Sequence, residues 1–348
     1  MRGMAAIACA AFLAGCAHYE IVGYYAGWKD PIAFDARDVT MVNYAFTDFA
    51  FNDQSPALAR LAAMKRENPR LKVMASIGGW TGSGPFSDMA STAASRGKFI
   101  GAALEFLRRT GFDGIDLDWE YPTDIGVPCP PPQTCERPED KKNFIALVQE
   151  MRRAFANRFL LTIAAGSDEK FMSGDWLVQL ARSLDWVNLM SYDYHGSLGK
   201  TSGLNAPIDR DPRDSTRASV RESVERLVAS GVPRDKITLG MPFYGKEWSG
   251  CAAVDEGLYQ PCERYVAEFD FTDLATKTGF TTHWNAPGRV PYLTKASTGG
   301  FITYDDERSI AEKARLVKEL GLRGAMFWEL GADRDGVLRR AIATQLPH

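Results

Sequence analysis

The run Asp113-Gly114-Ile115-Asp116-Leu117-Asp118-Trp119-Glu120 concentrates the groups able to do chemistry. Side chains alternate along a strand, so Asp116, Asp118 and Glu120 share one face while Ile115, Leu117 and Trp119 take the other. Three carboxylates in a row repel when all are charged. Each raises the proton affinity of its neighbours, and the row is expected to keep at least one proton. A carboxylic acid that stays protonated near neutral pH can act as a general acid. A solvated acidic edge would not alternate so regularly with apolar residues, nor end in Trp-Glu-Tyr-Pro. A carboxylate site for Mg²⁺ or Ca²⁺ is the stronger rival. The pattern favours catalysis, with Glu120 as proton donor and with no metal or other cofactor. Asp113 has the wrong parity for the row, and a structural role is expected for it.

An acid at a strand end needs a frame to present it. Short β-rich runs alternate with amphipathic segments, which argues for parallel strands joined by crossover helices. Strands are expected near Ile21–Tyr25, Val39–Phe46, Lys72–Ile77, Gly114–Trp119, Leu160–Ala165, Trp186–Ser191, Ile237–Pro242 and Gly324–Trp328. Helices are expected near Lys98–Arg109, Asp140–Phe155, Ser215–Ala229 and Ser309–Leu320. Eight strands in that alternation predict an α/β fold, a closed (β/α)8 TIM barrel; an open doubly wound sheet is the alternative. Barrel enzymes carry their chemistry at the carboxyl ends of strands, where Glu120 falls. Between strand 7 and helix 7 the segment 249–300 is too long to lack structure, so a small α+β insertion is expected there. It would rise beside the catalytic face and deepen the cleft. The catalytic barrel is placed over 16–348.

The 348 residues are 45% apolar and 24% charged, which suits one globular domain with a sizeable core. Formal net charge is −3, with both signs scattered along the chain. There is no basic run and no Lys/Arg stripe, so nothing favours nucleic acid. A monomer facing a neutral polymer fits such a balance.

Arg2 followed by the apolar stretch Met4–Ala14 is too short to span a bilayer, and residues 1–15 read as an export signal. Leu13-Ala14-Gly15-Cys16 resembles a bacterial lipobox. That likeness implies cleavage before Cys16, a lipid on its thiol and a membrane anchor. Ala17, in place of Asp, implies the outer membrane. A plain signal peptide is the alternative. Cys129, Cys135, Cys251 and Cys262 then remain for an oxidising compartment. Three pairings are formally possible; adjacency favours Cys129–Cys135 and Cys251–Cys262. The spacings do not suit zinc, and His18, His195, His283 and His348 are not grouped near them.

Asp-Gly-Ile-Asp-Leu-Asp-Trp-Glu-Tyr resembles the signature of glycoside hydrolase family 18, the chitinases and their relatives. Ser76-Ile-Gly-Gly79-Trp80, Met190-Ser-Tyr-Asp193, Met241-Pro-Phe-Tyr-Gly245 and Ala325-Met-Phe-Trp-Glu329 resemble that family's motifs on strands three, six, seven and eight. The likeness covers nearly all of the mature chain. It implies hydrolysis of chitin or chito-oligosaccharides by a substrate-assisted route, an exception to the usual carboxylate pair. The substrate's own N-acetyl oxygen would attack the anomeric carbon while Glu120 protonates the leaving oxygen. Asp118 would bind the acetamido N–H, Asp116 would exchange the shared proton, and Tyr192 would hold the acetamido oxygen. Trp328 would floor the reacting sugar and Trp80 would stack on the next one. Asp193 would bind the distorted sugar, while Tyr24 and Ser76 would stabilise Asp116. Phe46, Gly79, Tyr121, Met190, Met241, Tyr244 and Lys246 complete the substrate contacts implied by the motifs.

One position departs from the family pattern. Lys246 stands where Arg is common, keeping the charge but losing the planar fork of donors. The glycine-rich Gly78–Gly84 lacks the Lys-Ser/Thr of a phosphate loop. A lectin that has lost the acid is disfavoured because Glu120 is present. Peptidoglycan or N-glycan cores, which also carry N-acetyl groups, stay open as substrates.

Overall fold

The computed structural model describes residues 18–124, 126–197, 199–216 and 218–348. The export segment 1–15 and Cys16 lie outside them. Strands β1 (Glu20–Ala26), β2 (Met41–Thr47), β3 (Lys72–Gly78), β4 (Gly114–Asp118), β5 (Leu160–Ala165), β6 (Trp186–Leu189) and β7 (Ile237–Pro242) are almost wholly buried. Such strands, covered on both faces, belong to a parallel sheet. After β7 come β8 (Tyr244–Ser249), β9 (Arg264–Asp270), β10 (Thr281–Asn285), β11 (Val290–Lys295) and β12 (Gly300–Thr303), then β13 (Gly324–Trp328). Strands β1 to β7 and β13 close into a parallel barrel in the order β1-β13-β7-β6-β5-β4-β3-β2. The closed (β/α)8 barrel replaces the open-sheet alternative.

Helices α1 (Pro56–Glu67), α2 (Pro85–Ala90), α3 (Ala93–Thr110), α4 (Asp140–Phe155), α5 (Glu169–Met172), α6 (Trp176–Ala181), α7 (Val220–Ala229), α8 (Glu307–Glu319) and α9 (Val337–Gln345) surround the barrel. Local chemistry sets their ends. Thr92 and Ser95 form a reciprocal capping box before α3, and Gly111 ends that helix at φ 72°. α7 begins at Val220, later than the apolar spacing suggested, because the Ser219 side chain accepts from Glu222 N–H and caps it there. β6 stops at Leu189, short of Ser191, because the Ser191 N–H turns back to the Leu189 carbonyl at 2.9 Å.

The barrel hands the chain to a second sheet with only Phe243 between β7 and β8. Five antiparallel strands, ordered β10-β11-β12-β8-β9, run from Tyr244 to Thr303 and so reach beyond both ends of 249–300. They enclose a small core of their own that includes Leu204, Trp248, Leu258, Tyr292 and Phe301. Cys251 and Cys262 are bonded across the β8–β9 connection, and Cys129 and Cys135 across the β4–α4 connection. At the end of the barrel opposite the catalytic strand ends, the Tyr19 N–H donates to the Pro347 carbonyl at 3.0 Å.

Candidate active site

β4 delivers Asp116 and Asp118 to the barrel interior and ends where Glu120 reaches the cleft. Asp116 is fully enclosed. One of its oxygens accepts from Tyr24 Oη and Ser76 Oγ, both at 2.8 Å. The other accepts from Thr162 Oγ1 at 2.6 Å and Asn188 Nδ2 at 3.0 Å. Burial pushes its proton affinity up, and those four donors oppose the rise. Asp118 is buried too, yet its Oδ1 has no hydrogen-bond partner among the described residues. Burial first, then the charges of Glu120 and Asp116, push its carboxyl well above the ordinary range. Glu120 is pushed up to about 7, mainly by burial. A bond from Tyr121 works against that rise and the Asp193 charge adds to it.

The glycine-rich turn after β3 grips the backbone just ahead of Glu120. Gly79 N–H donates to the Asp118 carbonyl at 2.8 Å, and Glu120 N–H donates to Ser83 Oγ at 2.9 Å. Gly78 has φ 109°, and a Cβ there would lie 2.1 Å from the Asp118 carbonyl oxygen. No larger residue permits that approach. Gly79 is pressed against Phe46 in the same way, at 2.4 Å. The Cys129–Cys135 bridge packs on Gly84, where a Cβ would lie 3.2 Å from Cys129 Cβ.

Across the cleft stand Tyr192 and Asp193. Tyr192 packs edge-on against Tyr244 with ring centroids 6.1 Å apart. Burial holds its hydroxyl protonated, and the charges of Asp193, Asp118 and Glu120 reinforce that. Asp193 sits at φ 65°, its N–H bound to Asn205 Oδ1 at 3.1 Å. Its Oδ1 accepts from Tyr244 Oη and Lys246 Nζ, each at 2.5 Å. Lys246 is 4% exposed and also donates to the His195 carbonyl at 3.3 Å. The His195 ring is pinned by Asp214 at 2.9 Å.

The floor is aromatic. Trp328 stacks on Phe46 at 5.8 Å and contacts Tyr24 at 5.6 Å. Trp28 lies 6.2 Å from Phe46 and 6.0 Å from Trp328, and it is 63% exposed. Trp80 is 42% exposed and rests on Gly126, whose added Cβ would lie 2.3 Å from the indole. Tyr121 stands edge-on to Phe171 at 5.6 Å. Burial and the charges of Glu120 and Asp118 hold its hydroxyl protonated.

Tyr24, Ser76 and Met241, all placed at the site by their motifs, are enclosed in the barrel at 2% exposure or less. Tyr24 and Ser76 act on Asp116, as the motifs imply, whereas Met241, read as a substrate contact, offers a ligand no surface. Met190 is nearly enclosed and joins the core. Asp113 lies at the far end of β4, bonded to Val73 N–H and Lys65.

Motif reading did not single out several residues that the fold brings here. Thr162 and Asn188 hold Asp116 from β5 and β6. Lys29 joins Asp270 at 2.6 Å and Glu329 at 2.8 Å, tying the turn that bears Trp28 to the inserted sheet. Glu268 lies opposite Lys246 on β9 and is pushed up to about 7, first by burial and then by Asp193. The exposure of Trp28, beside Phe46 and Trp328, is a signal only the fold supplies. Among the described residues, no group of three or more His, Cys, Asp or Glu side chains is arranged to hold a metal ion.

The sequence profile described as Glycosyl hydrolases family 18 matches residues 20–333. Chitinase A1 of Niallia circulans is 35% identical over 94% of this chain, which spans 58% of that protein's length. Chitotriosidase-1 of Mus musculus is 33% identical over 90% of this chain and 73% of its own. Among solved structures, a family 18 N-acetylglucosaminidase from Paenibacillus barengoltzii superposes with TM-score 0.87 at 35% identity. That likeness covers 94% of this chain and all of the other. Barrel, acid row and profile agree: the chain belongs to glycosyl hydrolases family 18.

Proposed function

We propose that this protein is a retaining glycoside hydrolase that cuts β-1,4 bonds between N-acetylglucosamine units of chitin or chito-oligosaccharides. The observation that carries the reading is the unequal state of the acid row. Glu120, lifted to about 7, keeps a proton to give. Asp118 offers an unpartnered buried oxygen beside it. Glu120 protonates the leaving oxygen as the substrate's acetamido oxygen closes on the anomeric carbon. Asp118 accepts the acetamido N–H and Tyr192 donates to the acetamido oxygen, which holds the nucleophile in line. Glu120, now a carboxylate, takes a proton from water, which reopens the ring at the same face. Asp116 stabilises the row through its four donors. Trp328 and Phe46 support the reacting sugar, Trp80 and Trp28 extend the aromatic path, and Asp193, Tyr244 and Lys246 bind its polar edge. The matches named chitinase support the substrate.

Hydrolysis of a fluorogenic chito-oligosaccharide tests the reading. Glu120→Gln is expected to lose about 10²–10⁴ in rate; equal activity in the two proteins would overturn the assignment. A thiazoline that mimics the cyclised acetamido intermediate is expected to inhibit tightly. A second reading is release of terminal N-acetylglucosamine, supported by the neighbour of that name that the chain covers completely. Products from colloidal chitin beside peptidoglycan, followed in time, separate terminal release, internal cutting and peptidoglycan cleavage.

Residues 1–15 and Cys16 support export, acylation and an outer-membrane destination for a monomer. Mass spectrometry of the mature N-terminal peptide tests this; an unmodified Cys16 would contradict it. No described helix is long and apolar enough to cross a membrane.

A further inference from the structure

The fold sorts charge by end. In a parallel barrel the helices run back from the cleft, so their last turns and the links to the next strands gather at the opposite end. There, in α1, α3, α4, α6, α7 and α8 and the links that follow, basic residues outnumber acidic ones by more than two to one. Arg66, Arg70, Arg108, Arg153, Arg158 and Arg182 are all exposed on it. Two of its acids are already engaged, Asp113 by Lys65 and Asp185 by Arg152. Asp35 and Asp38 of the neighbouring β1–β2 link face Arg37 and Arg339.

Helix dipoles favour bases in last turns. They do not account for Arg70, Arg158 and Arg234, which lie in the links beyond. Since the whole chain carries −3, the rest of the chain holds the compensating negative excess. An anionic plane would attract that basic end and orient the molecule.

We propose that the end of the barrel opposite the cleft docks on an anionic lipid surface, holding the cleft outward. Charge complementarity is the argument. The described chain also enters the barrel on this same end, where β1 starts at Glu20. A juxtamembrane base contributes about 1 kcal/mol to binding anionic headgroups. The proposal is independent of acylation at Cys16 and of the catalytic reading.

The test uses the full chain carrying Cys16→Ser, which removes the acylated thiol from every sample. Cosedimentation compares vesicles of phosphatidylcholine alone with vesicles in which about a third is phosphatidylglycerol. The expected result is stronger partitioning to the anionic vesicles, lost as salt rises from about 0.05 to 0.5 M. Arg108→Glu combined with Arg158→Glu should weaken it by about fivefold or more per residue. Arg108→Gln with Arg158→Gln should act in the same direction but less, and melting temperatures separate lost docking from lost fold. Lys200→Glu changes net charge by as much as the two Arg→Gln changes together, but it sits on the β6–α7 link at the cleft end and should have a smaller effect than that pair. Equal partitioning to both vesicles, or equal loss from Lys200→Glu, would overturn the proposal. Retention on heparin without retention on anionic vesicles would overturn the choice of lipid as occupant.

Discussion

Asp116 and Asp118 stand two residues apart on one strand, yet among the described residues Asp116 accepts four hydrogen bonds while Asp118 leaves a buried oxygen with none. A carboxylate with four donors is stabilised as the anion; one without partners holds a proton. Asp118→Ala is therefore expected to lower kcat by about 10²–10³, as removal of a preorganised partner of developing charge does. KM should change far less. Steady-state kinetics on a chito-oligosaccharide measure both, and a loss confined to KM would contradict the role.

The pH profile should carry Glu120's signature. As the proton donor it must be protonated in the free enzyme, so kcat/KM is expected to fall above about pH 7. The stability sign follows from linkage. Its folded value is raised from 4.5 to about 7, so burying the ionised form costs stability as pH climbs through that window. Glu120→Gln should raise the melting temperature more at pH 8 than at pH 4. The reverse ordering would show that Glu120 is not held protonated by the fold.

Lys29 holds Trp28 in place by bonding Asp270 of the inserted sheet and Glu329 beside Trp328. Burial works against its charge, but the two carboxylates outweigh that and raise its proton affinity. Lys29→Met is expected to raise KM for long oligosaccharides more than for short ones, by roughly tenfold if about 1.4 kcal/mol of binding is lost. Kinetics across a length series measure the ratio.

Lys246 occupies a space cut for lysine. A Cβ added at Gly196 would lie 2.9 Å from its Nζ, and the side chain is 4% exposed. Lys246→Arg should cost about 1–3 kcal/mol by overpacking, visible as a lower melting temperature. Restoring the family's usual residue should therefore not improve activity.

The barrel and the acid row were legible because strand parity and alternation are local. Thr162, Asn188, Lys29 and Asp270 were not, because nothing near them in sequence marks their partners; Lys29 meets Glu329 across 300 positions. The edge of the insertion was hidden for a different reason. β7 runs into β8 through Phe243 alone, so no turn residue marks the passage between sheets. Charge shows the same limit: bases that look scattered along the chain fall at one end because each recurs at the same phase of a βα unit.

The hydrogen bond from Tyr19 to Pro347 places the two ends of the described chain side by side, on the face remote from Glu120. Chain ends that meet favour circular permutation. A short linker joining them, with new ends opened in the exposed turn at Thr278–Gly279 of the inserted sheet, would leave every barrel strand intact. The same proximity means that a resin or fusion partner attached at His348 leaves the mouth of the barrel unobstructed.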